Sequence, residues 1–279
     1  MGGAAGGVRR GSGGRDGGWG RGRTGERRGQ IRRLIYSGAE AVVARPDDLR
    51  NYSKMGRVGA PTVGTTQQDL DTNGWCLIPP VAAITIADVL SPLGPISSGQ
   101  CDLKPYSRES APRGSMSSVV GTDKQPMHTD AAYRPQPPRY IALQCVDPGE
   151  APCPTHVWTL NLGPLSKDRP DILTKTTWIA HGQGHVPFYC SIMDTLGGRV
   201  RVRFDPLCMR PMSGANKTIA EAQEFLDFYS KRIDFDWDRG ALLIIDNWRC
   251  LHARGNGASG APSRRLRRWT IGARNGLVT

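Results

Sequence analysis

Five histidines are spread over 279 residues, so each can be weighed singly for the chemistry it could do. His128-Thr-Asp130 sets an imidazole and a carboxylate at i and i+2, which point to one face of an extended segment. Two such groups can share a metal ion, and a third ligand must then come from a distant part of the chain. His252 is the natural candidate. It ends Asp246-Asn-Trp-Arg-Cys-Leu-His252, just beyond the apolar run 241–245, where a core strand would exit toward a mouth. Two histidines and one carboxylate on one face of an octahedron leave three positions open, the arrangement of non-haem Fe(II) oxygenases. HxD alone is a weak signal, because a capping or core histidine satisfies it equally well.

What strengthens it is the downstream cluster Arg264-Arg-Leu-Arg-Arg268. As a strand it puts Arg264, Leu266 and Arg268 on one face and Arg265 and Arg267 on the other. Inward guanidiniums near a metal are costly unless an anion joins them. A dicarboxylate cosubstrate supplies one, through a bidentate fork on its far carboxylate. The bland alternative, a solvated basic edge strand, suits Arg265 and Arg267 better than Arg264. The remaining histidines offer less. His181-Gly-Gln-Gly-His185 has the i, i+4 spacing but two glycines between its ends and no Glu of an HExxH site. His156 reads as a surface or core residue at a strand start. No GxSxG, P-loop or dinucleotide-binding fingerprint occurs.

The elements that must position these residues are mostly short strands. Asp71-Thr-Asn-Gly74 predicts a turn, followed by a strand at 75–78 that Pro79-Pro80 closes. Further strands are expected at 139–146, 157–162, 241–245 and 268–272. Residues 199–204 alternate charged and apolar, which predicts a half-buried strand with one wet face. A short helix is expected over 84–93. A longer one is expected over 218–233, where Thr218-Ile-Ala-Glu221 reads as a capping box. Many strands and few helices suggest a β-sandwich or barrel.

Composition narrows the class. Hydrophobic residues make up 38% and charged residues 22%, as in a globular chain with a real core, and no run has the roughly 18 apolar residues of a membrane span. The net charge of +12 is uneven: residues 1–33 hold nine Arg against Asp16 and Glu26, which leaves only +5 for all the rest. That Gly/Arg-rich stretch cannot bury enough surface to order itself, so 1–33 is expected to be a disordered tail and 34–279 a single domain. The seven cysteines form no CxxC pair and suggest reduced thiols in the cytoplasm.

Pro126-Met-His-Thr-Asp-Ala-Ala-Tyr133 with Pro137-Pro-Arg-Tyr140 resembles the metal-binding region of the taurine dioxygenase and clavaminate synthase-like Fe(II)/2-oxoglutarate oxygenases. Asp246-Asn-Trp-Arg-Cys-Leu-His-Ala-Arg254 resembles that family's distal-histidine segment, and Arg264-Arg-Leu-Arg-Arg-Trp-Thr-Ile271 its closing arginine strand. The three motifs occur in the family's order within roughly residues 66–273. The resemblance implies a mainly β chain with flanking helices, folded as a double-stranded β-helix (jelly roll). It implies that His128, Asp130 and His252 ligate Fe(II), and that Arg264 holds the far carboxylate of 2-oxoglutarate with help from Thr155. Arg265 is a rival for Arg264, one register step away. Arg268 matches a position that contacts an anionic substrate in some members. The usual Gly-Gly-Asp/Glu-Thr before Thr155 is here Ala-Pro-Cys-Pro154.

The implied activity is O2-dependent hydroxylation, or a related desaturation or cleavage, of a small anionic or zwitterionic molecule, with 2-oxoglutarate converted to succinate and CO2. A carboxylate ligand at 130 favours hydroxylation, whereas related halogenases vacate that place for chloride. Ser117, Ser118 and Trp248 are candidate pocket walls. No membrane or nucleic-acid partner is expected, and the oligomeric state is left open. Two alternatives stand beside this reading: a Zn hydrolase on the same triad, and an RNA-binding protein acting through the Gly/Arg tail.

Overall fold

A computed structural model describes residues 63–80, 85–182 and 184–272, all within one unit, Gly59–Thr279. The expected tail 1–33 and residues 34–62 lie outside the described residues. Helix α1 (Val63–Asn73) leads into β1 (Trp75–Ile78); α2 (Ile86–Leu90), β2 (Ile96–Leu103) and α3 (Ser117–Val120) follow. Next come β3 (Tyr140–Asp147), β4 (Thr155–Leu160), α4 (Leu162–Asp168), α5 (Asp171–Thr174), β5 (Trp178–Gly182) and β6 (His185–Cys190). Strands β7 (Met193–Leu196), β8 (Arg199–Val202) and β9 (Met209–Pro211) precede the long helix α6 (Ala215–Phe228). The chain closes with β10 (Ser230–Phe235), β11 (Leu242–Asp246), β12 (Cys250–Arg254) and β13 (Arg265–Ile271).

Two antiparallel sheets frame the interior. The larger has the order β1-β11-β3-β13-β2 and the smaller β10-β4-β12. Period-2 alternation decides what each face meets. From the larger sheet, Tyr140, Ala142, Leu242, Ile244, Trp269 and Ile271 turn outward onto Leu70 of α1 and Val89 and Leu90 of α2. Ile141, Leu143, Cys145, Leu243, Ile245 and Leu266 turn inward and meet Val157 and Cys250 of the smaller sheet. The outer face of the smaller sheet, with Trp158, Leu160, Leu251 and Ala253, packs on Ala222 and Leu226 of α6. Inward parity on β12 therefore belongs to residues 250, 252 and 254, and on β4 to 155 and 157. No helix among the described residues is long and apolar enough to cross a membrane. All seven cysteines are free thiols.

The expected strands at 75–78, 139–146, 241–245 and 268–272 are present within a residue or two, except that the last begins at Arg265. Five expectations need correction. Residues 71–73 are the last turn of α1 rather than a free turn, and Gly74 (φ 79°) ends the helix. The short helix within 84–93 is only Ile86–Leu90, capped by Thr85 and Asp88. The strand expected at 157–162 runs instead from Thr155 to Leu160, and Leu162 opens α4. The helix expected over 218–233 is α6, which starts after Gly214 (φ 71°) and stops at Phe228. Thr218 is inside it and donates to Ser213 O, so no capping box forms at 218–221. Beyond it, Ser230–Phe235 pairs in register with β4, and cross-strand pairing overrides the helical spacing of Ile233.

The last correction bears on the site. The 199–204 stretch has no wet face at its far end, because Arg201 and Arg203 are buried. Arg201 forks onto Asp194 at 2.8 and 2.6 Å. Arg203, only 1% exposed, donates to the carbonyls of Ala132, Arg134 and Pro135 and lies 4.9 Å from the centroid of the Phe188 ring. It thereby fastens the segment that follows Asp130. Replacing it removes the donor for three main-chain acceptors at once. Arg203→Met should lower stability by roughly 2–4 kcal/mol, read as a lower urea midpoint with an unchanged m-value.

Candidate metal and anion site

The site begins as main-chain pairing. His128 N donates to His252 O and His252 N to His128 O, each at 3.0 Å, an antiparallel bridge added to the edge of β12. Residues directly opposed in this way project side chains to the same face. The two imidazole centroids are 4.5 Å apart, and Asp130 at i+2 joins them. One potential ligand atom from each of His128, Asp130 and His252 lies within 4.8 Å of the others, and this is the only such group of three among the described residues.

The protonation states suit a cation. His128 Nδ1 lies 3.0 Å from Pro126 O, and a carbonyl only accepts, so Nδ1 carries a proton and Nε2 is the nitrogen left for a metal ion. Burial, then the neighbouring His128, pushes the His252 pKa down to about 3, so its ring is neutral. Burial acts to raise the Asp130 carboxyl. Arg268, by its charge and its hydrogen bond, leads the effects that outweigh it, and Asp130 is held below the usual range as a carboxylate. Arg268 Nη1 stands 2.9 Å from both Asp130 oxygens. Two imidazoles and one carboxylate, all facing inward, form a donor set that fits a divalent first-row metal.

Several positioning residues carry no motif that announces them. Asn247, fully buried at the β11–β12 turn, accepts from Asp130 N at 2.8 Å and donates to Asp130 O at 3.1 Å and Pro138 O at 2.9 Å. It replaces a missing strand partner, because Ala131 (φ 56°) turns the chain away immediately after Asp130. Gly182 gives room for Tyr133: a Cβ there would sit 2.4 Å from the ring's Cγ. The only signals available in the sequence were Asn247's place in the distal-histidine segment and the glycine between two histidines.

A second polar layer lies along the same interior. Thr155 pairs with Arg254 in the β4–β12 register, and Val157 with His252. Thr155 Oγ1 accepts from Trp237 Nε1 at 3.1 Å. Arg264, 4% exposed, has its Nε and Nη2 buried without a partner, and burial drives its pKa below that of an ordinary arginine. Its electrostatic neighbours are the thiols of Cys153 and Cys145, not carboxylates. Arg265 instead faces Asp102 at 4.0 Å on the outer side, with Arg267 at 3.1 Å from the same residue. Strand β13 starts at Arg265 with a register shift before Leu266, so Arg264 sits in the turn ahead of the regular ladder, its N–H on Ala261 O.

The other sequence candidates lie elsewhere. His156 pairs with Asp234 at 2.7 Å on the outer face of β4. His181 and His185 are exposed on the β5–β6 hairpin, where His185 stacks on Tyr133 at 4.9 Å. Trp248 is held between Arg139 and Arg201 with its Nε1 on Pro137 O. Ser118 bonds back to Ser115 O at 2.6 Å, and Ser117 is buried at the start of α3.

No protein-family profile matches the chain. Among curated proteins it is similar to 3-((Z)-2-isocyanoethenyl)-1H-indole synthase from Fischerella ambigua (strain UTEX 1903), at 27% identity over 46% of this chain. The chain spans 56% of that relative's length. Among solved structures it is similar to asparagine oxygenase bound to Fe(II), 3-hydroxyasparagine and succinate, with TM-score 0.57 and 15% identity over 81% of this chain and 79% of that one. It is also similar to the non-haem iron oxygenase OrfP with Fe and α-ketoglutaric acid (TM-score 0.52, 16% identity, 82% and 80% covered). PvcB from Pseudomonas aeruginosa matches at TM-score 0.52 and 17% identity, with 75% and 79% covered. The likeness expected from the three motifs is borne out in the backbone: this chain has the fold of the non-haem iron, 2-oxoglutarate-dependent oxygenases.

Proposed function

We propose that this chain is an Fe(II)/2-oxoglutarate-dependent dioxygenase that hydroxylates a small anionic or zwitterionic molecule, such as an amino acid, a sulfonate or a natural-product intermediate. The observation that carries the reading is Arg264: a buried guanidinium without a carboxylate partner, in the same inter-sheet layer as a two-histidine, one-carboxylate triad. A buried unpaired cation is strongly unfavourable unless an anion completes it. A Zn hydrolase on the same triad would have no use for it. The alternative of a Gly/Arg RNA-binding tail falls on residues outside the described part. The hydroxyasparagine and succinate held by the asparagine oxygenase relative agree with a polar, amino-acid-like substrate.

His128, Asp130 and His252 would hold Fe(II), and Arg264 with Thr155 the far carboxylate of 2-oxoglutarate. Fe(II), 2-oxoglutarate and O2 together supply the oxidising chemistry and release succinate and CO2. The chain positions the reactants and keeps water out. His128 is kept in one tautomer by Pro126, and Asn247 fixes the height of Asp130 in the interior. Arg268 steadies the Asp130 carboxylate through Nη1, and its other nitrogens would meet the substrate's negative group. We read the strand framework as a double-stranded β-helix. We take 34–279 as one domain behind a Gly/Arg tail, acting in the cytoplasm, where seven unpaired thiols persist.

Calorimetry with Fe(II) under anaerobic conditions, or with Co(II), should show one divalent site. His128→Ala and His252→Ala should each weaken it at least about 100-fold, and Asn247→Ala roughly 10–100-fold while the fold is retained. With Fe(II), ascorbate and 2-oxoglutarate, the chain should form succinate, slowly without substrate and faster with it. Arg264→Met should abolish this, whereas Arg265→Met should keep most of it. Succinate formation unaffected by Arg264→Met would overturn the assignment of the anion site.

A further inference from the structure

Arg254 is buried at 8% exposure and faces inward on β12, two residues beyond His252. Its Nη2 donates to Gly121 O at 2.6 Å and Asp123 O at 2.9 Å. Its Nε is buried with no acceptor. The Asp123 carboxylate is exposed and turned to Arg108 at 3.3 Å, so Arg254 has no buried counter-charge. It lies opposite Thr155 in the β4–β12 register, on the same face. Arg254 and Arg264 also share a neighbour, the Cys153 thiol. One inter-sheet layer thus holds two guanidiniums and three orphaned N–H donors, and its one carboxylate neighbour, Asp123, is exposed and already paired with Arg108. Loop carbonyls explain why Arg254 Nη2 is where it is. They do not offset two like charges placed together out of water.

We propose that Arg254 is a second cation of the cosubstrate pocket, which with Arg264 selects a 2-oxo diacid over a 2-oxo monoacid and ties its binding to the 121–123 segment. This rests on the oxygenase reading above. Two residues along β12 separate the level of His252 from that of Arg254, about 7 Å of strand rise, which suits a short diacid with one end at the metal. The guanidinium of Arg254 is already divided between loop carbonyls and the pocket. An anion that takes its Nε would therefore stiffen the segment leading to His128, where Gln125 N also bonds Arg254 O at 3.0 Å.

The test uses the full chain loaded with Mn(II), which binds without turnover. Calorimetry compares 2-oxoglutarate with 2-oxovalerate, the monoacid of equal carbon number. Arg254→Gln should weaken 2-oxoglutarate roughly 10–100-fold and leave 2-oxovalerate unchanged, as expected for loss of a charge-assisted contact to the far carboxylate. A purely structural role would shift both acids alike or neither, and an unchanged ratio in a folded variant overturns the proposal. If Arg254→Gln does not fold, Arg254→Lys decides on the same ratio, since an ammonium cannot serve two loop carbonyls and the pocket together. Glutarate with EDTA separates this proposal from the reading beneath it. If wild-type protein does not bind 2-oxoglutarate, yet glutarate raises its melting temperature and fails to do so in Arg254→Gln and Arg264→Met, the two-arginine pocket stands and the oxygenase reading falls. If neither diacid binds, both fall.

Discussion

Two main-chain hydrogen bonds between His128 and His252 are the constraint on which the site depends. They fix the relative height and facing of two imidazoles that are 124 residues apart in sequence without asking anything of the side chains. Once that register is set, strand geometry dictates the rest. Asp130 comes to the same face from one side, and Arg254 and Thr155 follow at the next inward step from the other. His252, proposed as a metal ligand, and Arg254 and Thr155, proposed to face the anion, are thus successive rungs of one ladder. Their spacing is a property of extended backbone, which resists compression far better than a pocket built from loops does.

The interior is charged in a particular way. Its carboxylate, Asp130, is held by Arg268 and faces two imidazoles, while Arg264 has thiols for company and Arg254 a thiol, loop carbonyls and only the exposed Asp123. Such an arrangement is unfavourable until an anion relieves it, because desolvation and like-charge repulsion act together. The apolar layer around Leu143, Val157 and Leu266 keeps the two sheets apart and dry at this point. It also makes each electrostatic preference in the site stronger than it would be in water.

Much of this was readable from residue types. The triad, the arginine cluster and most strands of the large sheet follow from i, i+2 spacing and short apolar runs. Parity put Arg264 and Arg265 on opposite faces but left them rivals for the anion; in the structure Arg265 faces Asp102, whereas Arg264 is buried beside thiols. What could not be read is what depends on distant partners. The alternation at 199–204 looked like a wet face because a pattern does not reveal that Arg203 meets three carbonyls 68–71 residues away. The helical spacing of 218–233 ran past the true end at Phe228, because the ladder with β4 captures 230–235. Asn247 has no periodicity to betray it. Its role exists only because Ala131 breaks the extended run beside Asp130.

The segment from His128 to Pro138 contains no regular strand or helix, yet almost everything that fastens it is remote. Arg203, Asn247, Trp248 and the bare backbone at Gly182 hold it across 50 to more than 100 residues. Contacts of such long range close only with the intervening chain, at an entropic cost. A metal ion held by His128, Asp130 and His252 would add one more remote tie, joining this segment to β12 through side chains as the two main-chain bonds already do through the backbone.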